Sequence, residues 1–451
     1  MRHLGRPLFL LTTSLLLAGC TIVHVYSAAN VERAAEPAPV QPTRATMALT
    51  AADLDGGVFV GIAMSGSGAR AANFSAATLL ELEQLGFLAH ASAISAVSGS
   101  ALTAAYYGVY ARPDQTAAAR ARNWNPEAVR QRFLVDFQTR WLVRWFNPWN
   151  IVRYWFTDFD RSDIMTSVFD SFLFAGRTPP RFADMGVGRP HILINATSLP
   201  RVGAFVFTDD EFQRLGSRLD TYPLSHAVMA SGAFPGAFHN VTLEDFARRG
   251  YYQHLFDGGP SDNLGVLTLL RVIDGVRPPP RGCFLFIADA FPYQRGKGER
   301  SSDTRHAIDF FVDQNVSDSA DVFLTLRRYD TLQRRLHYPG KGAGQTPQWS
   351  FTTDGGVPCS AWHLTFQSLL ERPEPRPDLS KEIEEEKQVN LIPTRYRLEG
   401  PKGKTQGDVQ DLIFKVARHL IREDGDTLKR ACDWFHAREL DACAAPNSGT
   451  R

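Results

Sequence analysis

The sequence predicts a three-layer α/β fold, with a mostly parallel central sheet flanked by helices and a C-terminal extension packed on it. Three observations carry this. Apolar runs of strand length recur at residues 58–64, 93–97, 191–196 and 283–288. Such runs, apolar at successive positions rather than alternating, mark strands buried on both faces. The first two runs are each followed by a small-residue turn and then a helical pattern, and strands alternating with helices give parallel sheets covered on both sides. The composition agrees: 451 residues, 44% hydrophobic and 22% charged, suit a globular chain with one large core and room for more.

At the N-terminus, Arg2, His3 and Arg6 surround the start of an apolar stretch over residues 8–17 that is too short to span a bilayer. It ends in Leu17-Ala18-Gly19-Cys20, which resembles a bacterial lipobox. The resemblance implies a signal peptide over residues 1–19 and lipidation of Cys20. Thr21 stands where Asp would favour retention at the inner membrane, so it implies anchoring in the outer membrane of a bacterial cell envelope. An ordinary signal peptide with an incidental Cys20 is the plainer alternative. Residues 20–52 are rich in Pro and Ala and read as an extended, poorly packed tether. Residues 53–292 form the main domain and 293–451 the extension.

Within the main domain, the run at 58–64 breaks at Ser65-Gly66-Ser67-Gly68, and Leu79, Leu80, Leu82 and Leu85 then share one face of a helix over residues 73–85. The run at 93–97 meets Ser98-Gly99-Ser100 and a small-residue helix over 101–110. Residues 133–160 insert an aromatic segment in which Trp141, Trp145, Trp149 and Trp155 interleave with Arg140, Arg144 and Arg153. Aromatic residues at near-helical spacing make a core; Trp with Arg also suits a bilayer interface, as a lid or membrane-facing wall that Pro148 would break in two. Beyond 293 the chain turns polar. Residues 381–387 read as a solvated helix and 409–420 as an amphipathic one that packs back on the body. After Cys20 the cysteines are Cys283, Cys359, Cys432 and Cys443. In an oxidising compartment they permit two disulfides by any of three pairings, with Cys432–Cys443 the nearest in sequence.

The net charge of +1, with no basic run, argues against nucleic acid as a partner. No later apolar run is long enough for a transmembrane helix, and the oligomeric state is left open.

Three places carry chemistry. Ser98 lies in Ala96-Val97-Ser98-Gly99-Ser100, a loosened G-x-S-x-G. A serine on a tight strand-to-helix turn projects its hydroxyl into a cleft, with a helix N-terminus behind it to favour developing negative charge. A capping serine in a plain turn gives the same text. Gly66, Ser67 and Gly68, followed by Ala69-Arg70, form a Gly-rich turn whose N–H groups can cradle an oxyanion. The same residues match a dinucleotide-binding fingerprint, but Glu81 and Glu83 fall inside the helix instead of ending a second strand. The third place is Phe256-Asp257-Gly258-Gly259, continuing Pro260-Ser261-Asp262-Asn263; Asp354-Gly355-Gly356 shows that the tripeptide alone is a common turn.

Together and in this order, these places resemble the patatin-like phospholipase family. Ile194-Asn195-Ala196-Thr197, Phe205-Val206-Phe207-Thr208 and Ala230-Ser231-Gly232-Ala233-Phe234-Pro235-Gly236 add to the resemblance, which covers residues 57–292. It implies a Ser–Asp dyad acting on phospholipid or lysophospholipid acyl esters: Ser98 as nucleophile, Asp257 as base, the backbone of Gly66, Ser67 and Gly68 as oxyanion hole, and Arg70 as a phosphate or structural contact. It implies no cofactor and no metal. Ser67, Ala96 and Ser100 replace family glycines, so a silent lipid- or partner-binding envelope lipoprotein is the alternative. A Ser-His-Asp esterase is a lesser one, since His226, His239 and His254 sit in no triad-like motif.

Overall fold

The computed structural model describes residues 28–35, 39–175, 178–292, 323–338, 348–370, 385–400, 403–423 and 425–443. The signal-peptide and Cys20 readings lie outside them, as do residues 381–384 of the charged run. The architecture is an α/β fold with a mixed, mostly parallel central sheet flanked by helices.

Nine strands form one sheet: β1 (Phe59–Met64), β2 (Ala93–Val97), β3 (His191–Ser198), β4 (Gly203–Val206), β5 (Val241–Asp245), β6 (Tyr251–Phe256), β7 (Cys283–Asp289), β8 (Gln348–Thr352) and β9 (Pro358–Thr365). Their order is β5-β6-β3-β2-β1-β7-β9-β8, with β4 also on β3. The five central strands, from β3 to β9, run parallel, and β4, β5, β6 and β8 pair antiparallel. Every residue of β1, β2, β3 and β7 is buried, which is why their sequences do not alternate.

The helices that matter here are α1 (Gly68–Gln84), α2 (Gly99–Tyr110), α3 (Phe137–Trp145), α4 (Pro148–Phe156), α5 (Arg161–Val168), α6 (Leu224–Ser231), α7 (Val266–Gly275), α8 (Gln406–Arg422) and α9 (Gly425–His436). The amphipathic pattern at 409–420 is the middle of α8. It packs back through Gln410, whose amide donates to Asn73 Oδ1 at 2.8 Å and to the Arg130 carbonyl at 2.7 Å, while Arg418 and Arg422 meet Glu81 on α1.

Three sequence expectations meet a different arrangement. The 39–52 part of the expected tether lies against the body. Arg44 is fully buried, and its guanidinium donates to the Pro190 carbonyl at 2.8 and 3.0 Å. Pro and Ala content reports a lack of regular structure but not the long-range backbone acceptors that hold an irregular segment down. Of the charged run, Glu386 is buried against His419 at 3.2 Å, because a partner more than thirty residues on removes the need for water. The extension also adds β8 and β9 to the sheet itself, and Asp354-Gly355-Gly356 is the turn between them, with Gly356 at φ +84°. Two disulfides join Cys283 on β7 to Cys359 on β9 and Cys432 on α9 to Cys443.

Candidate active site

Strand register brings the three sequence candidates to one edge of the sheet. Met64 lies opposite Ala96, so the Gly-rich turn after β1 and the Ser98 turn after β2 leave the sheet side by side. Ligands in open α/β sheets bind at this carboxyl edge. On the other side of β3, Asp257 arrives from an antiparallel strand. Val97 pairs with Asn195 and Phe256 with Thr197, so the next residue of each strand, Ser98 and Asp257, is level with Ala196 from opposite sides.

Ser98 sits at φ 53°, ψ −121°, a backbone region that non-glycine residues rarely occupy and that marks strained functional turns. Its N–H donates to Ser231 Oγ at 2.8 Å, and that hydroxyl donates to the Asn195 carbonyl at 2.6 Å. The turn is thus held by the two motifs around Asn195 and Ser231. Gly99 is required: a Cβ there would stand 2.0 Å from the Gly68 carbonyl oxygen, so the nucleophile turn and the Gly-rich turn touch backbone to backbone. Ser100, in place of a glycine, donates from Oγ to the Met64 carbonyl at 2.7 Å and accepts from Val97 N–H at 2.9 Å, stitching the turn to the end of β1.

The Gly-rich turn is shaped by its own strain. Ser67 lies at φ 137° and Gly68 at φ 57°, both in the region that favours glycine. Gly66 N–H donates to the Asn263 carbonyl at 3.1 Å and Ala69 N–H to the Arg395 carbonyl at 2.6 Å. Between them, Ser67 and Gly68 N–H take no backbone acceptor among the described residues. Arg70 is fully buried. Its guanidinium donates to the Ala290 carbonyl at 2.8 Å, to Thr394 Oγ1 at 3.1 Å and to the Ile392 carbonyl, and so ties residues 392–396 of the extension to the loop.

Asp257 is 2% exposed. Its N–H donates to the Ala233 carbonyl at 3.0 Å, Thr197 Oγ1 donates to its carbonyl at 2.8 Å, and its Oδ1 accepts Gly259 N–H at 2.8 Å. Gly258 N–H donates to the Ser231 carbonyl at 3.0 Å, so Ser231 serves both turns. The histidines lie elsewhere. His254 pairs with Thr242 at 2.9 Å, His239 approaches Asp160 at 3.5 Å, and both, with His226, line a separate cavity of about 1190 Å³. Burial pushes the His226 imidazole down to about 4, so it is neutral at neutral pH.

Two residues of the site escaped the sequence. Asn263 Oδ1 would be 3.0 Å from a Cβ on Gly66, and Ser98 Oγ 3.9 Å; its Nδ2 is buried with no acceptor among the described residues. Its place after Asp-Gly-Gly was visible, but nothing in that text distinguishes it from a turn residue. Tyr396 comes from the extension. Its hydroxyl donates to the Gly232 carbonyl at 3.0 Å and interacts with the Ser98 side chain. Burial, then the nearby Asp257 carboxylate, holds the phenol far above its usual range, and it stays neutral. No local pattern announces a tyrosine so distant in sequence.

No curated protein sequence matches the chain. Among solved structures, human GIVD cytosolic phospholipase A2 aligns with a TM-score of 0.47 at 12% identity, over 85% of this chain and 61% of that one. The same human protein in complex with methyl gamma-linolenyl fluorophosphonate gives 0.45 at 15%, over 86% and 60%. VipD from Legionella pneumophila gives 0.27 at 12%, over 80% and 66%. The chain therefore spans less than two thirds of the length of these proteins. The family model for patatin-like phospholipases matches residues 55–270, a span that holds the Gly-rich turn, Ser98 and Asp257. Over those residues, a little under half of its length, the chain is similar to the patatin-like phospholipase family.

Proposed function

We infer that this protein is a serine acyl-ester hydrolase of the phospholipase A or lysophospholipase kind, with Ser98 as nucleophile and Asp257 as its base. The observation that carries the reading is Ser98 at φ 53°, on a strained turn in backbone contact with a loop whose Ser67 and Gly68 N–H take no backbone acceptor among the described residues. A serine hydroxyl needs a base to become a useful nucleophile, and burial strengthens a carboxylate as one. Asp257 takes the proton as Ser98 Oγ bonds to the ester carbonyl carbon. The oxyanion forms against Ser67 and Gly68 N–H, near the N-terminus of α2. The intermediate collapses, and the alcohol leaves with the proton from Asp257. Water, deprotonated by the same carboxylate, then frees the fatty acid and restores Ser98. The residues call for no metal or cofactor in these steps. Lipidation at Cys20 would hold the enzyme at the outer membrane, next to its substrate.

A second reading rests on the Tyr396 hydroxyl beside Ser98 and on Arg395 against the Gly-rich turn: a silent envelope lipoprotein that binds lipid or a partner. Fluorophosphonate labelling separates the two. Labelling that vanishes in Ser98→Ala supports the hydrolase. Ser98→Ala and Asp257→Asn are each expected to cut fatty-acid release from phospholipid by about a thousandfold or more. Full turnover in either variant, or no labelling of the wild type, overturns it.

A further inference from the structure

The aromatic insertion divides into two kinds of surface. On α3, Phe137 and Trp141 are buried, and Trp141 packs on Trp145 and Phe238 with ring centroids 5.2 and 5.4 Å apart. That part is core. Helix α4 is different: among its nine residues none is buried, although six of the nine are Trp, Ile, Val, Tyr or Phe. Trp149 and Trp155 are 68% and 69% exposed. Of the eighteen exposed large apolar side chains among the described residues, eight fall between residues 143 and 156. Such concentration is not the scatter of a soluble surface; the two tryptophans alone expose on the order of 300 Å².

Charge says what covers this face. From 137 to 157 the only charged residues are Arg140, Arg144 and Arg153, with no acid among them. Arg140 lies over the Phe172 ring at 3.9 Å and Arg153 over Phe159 at 3.7 Å; both remain exposed. Guanidinium groups around a patch of tryptophan fit a layer that is apolar within and negatively charged at its surface. Asp170 acts on Arg144 and Asp163 on Arg153, but a purely apolar protein partner would bring no anion to the exposed Arg140 and Arg153.

We propose that α4, with Phe146 and Val143 at the end of α3, is a bilayer-docking face that seats on anionic lipid. Trp149 and Trp155 enter the headgroup boundary, and Arg140 and Arg153 meet lipid phosphates. The face deepens the hydrolase reading without depending on its chemistry, because docking needs neither Ser98 nor Asp257. It is also a second, weaker hold beside any anchor on Cys20, of the kind that makes a single lipid signal stable.

The test uses the full chain with Cys20→Ser, so that no acyl anchor masks the effect, and vesicles of phosphatidylcholine with or without phosphatidylglycerol. Trp149→Ala with Trp155→Ala is expected to lower co-sedimentation with the anionic vesicles at least tenfold. Turnover of a short soluble ester and the melting temperature should not change. Arg140→Ala with Arg153→Ala should remove the preference for anionic vesicles. Added Ser98→Ala should leave binding as it is; Trp-dependent binding by a chain that keeps Ser98 yet hydrolyses no ester would sink the enzyme reading and spare this one. Undiminished vesicle binding by the Trp variant overturns the proposal. So does a fall in both melting temperature and soluble-ester turnover, which would make the rings structural, or a Trp-dependent dimer that ignores vesicles.

Discussion

Tyr396 stands at the most consequential contact of the site that is not part of the family span. Its hydroxyl interacts with the Ser98 side chain while donating its proton to the Gly232 carbonyl, with Arg395 against Ala69 N–H next door. A serine proton drawn toward a neutral phenol would be drawn away from its base. Tyr396→Phe keeps the ring, its packing on Phe169 and Phe238 and the strap of residues 392–396, and removes the hydroxyl that meets Ser98 and donates to Gly232. Fluorophosphonate labelling of Ser98 should therefore quicken several-fold in this variant, with the melting temperature changed by no more than the one lost hydrogen bond to Gly232, about 1 kcal/mol. Slower labelling would instead mean that the phenol aligns the serine. Either result distinguishes this contact from plain packing.

At the scale of the element, the start of α5 shows how a cap sets a pH response. Asp160 is the N-cap and accepts from Ser162 N–H at 2.6 Å, while Asp163 accepts Asp160 N–H at 2.8 Å. The two carboxyls also border the cavity with His226, His239 and Arg153. Burial, and then the neighbouring Asp160, pushes Asp163 up to about 6. A carboxyl that holds its proton more tightly folded than unfolded favours the fold only while it is protonated. Its effect turns against the fold as the pH rises from the unfolded value near 4 through about 6. Asp163→Asn keeps an acceptor for Asp160 N–H and removes the charge. The variant should melt a few degrees above the wild type at pH 7.5, a gain of roughly 2 kcal/mol, and the gap should close toward pH 4. A constant offset at all pH values would show that the cap, and not the ionisation, is responsible.

Across the whole molecule, the extension is part of the fold. β9 is parallel to β7, and Cys283 lies in register with Cys359. Asp289, at the end of β7, takes Arg328 at 2.6 Å and His363 of β9 at 2.8 Å; Arg328 and then His363 hold its carboxyl well below the usual range against the opposing effect of burial. The two disulfides close chains of very different length, with sequence separations of 76 and 11. The entropy removed from the unfolded chain grows with that length. Cys283→Ala with Cys359→Ala should cost about 2–4 kcal/mol, and Cys432→Ala with Cys443→Ala less. Denaturant melts of the two double variants compare them; equal losses would mean that native packing around the sulfurs sets the cost.

How much of this was legible in the sequence follows from what each feature depends on. The central strands and the helices after them were readable because burial on both faces writes itself into consecutive residues. Ser98, the Gly-rich turn and Asp257 were readable as text because their backbones require small residues at fixed offsets. That they share an edge was not, since it comes from register: β2 and β6 meet β3 from opposite sides, level with Ala196. The split of the aromatic insertion was equally invisible, because Trp141 and Trp149 are the same letter at the same spacing, and only the neighbours Phe238 and Trp145 decide which is core. Arg44, Glu386 and Tyr396 are the furthest cases. Each is held by partners more than thirty residues away, so its place in the fold is fixed by tertiary contacts that local sequence does not encode.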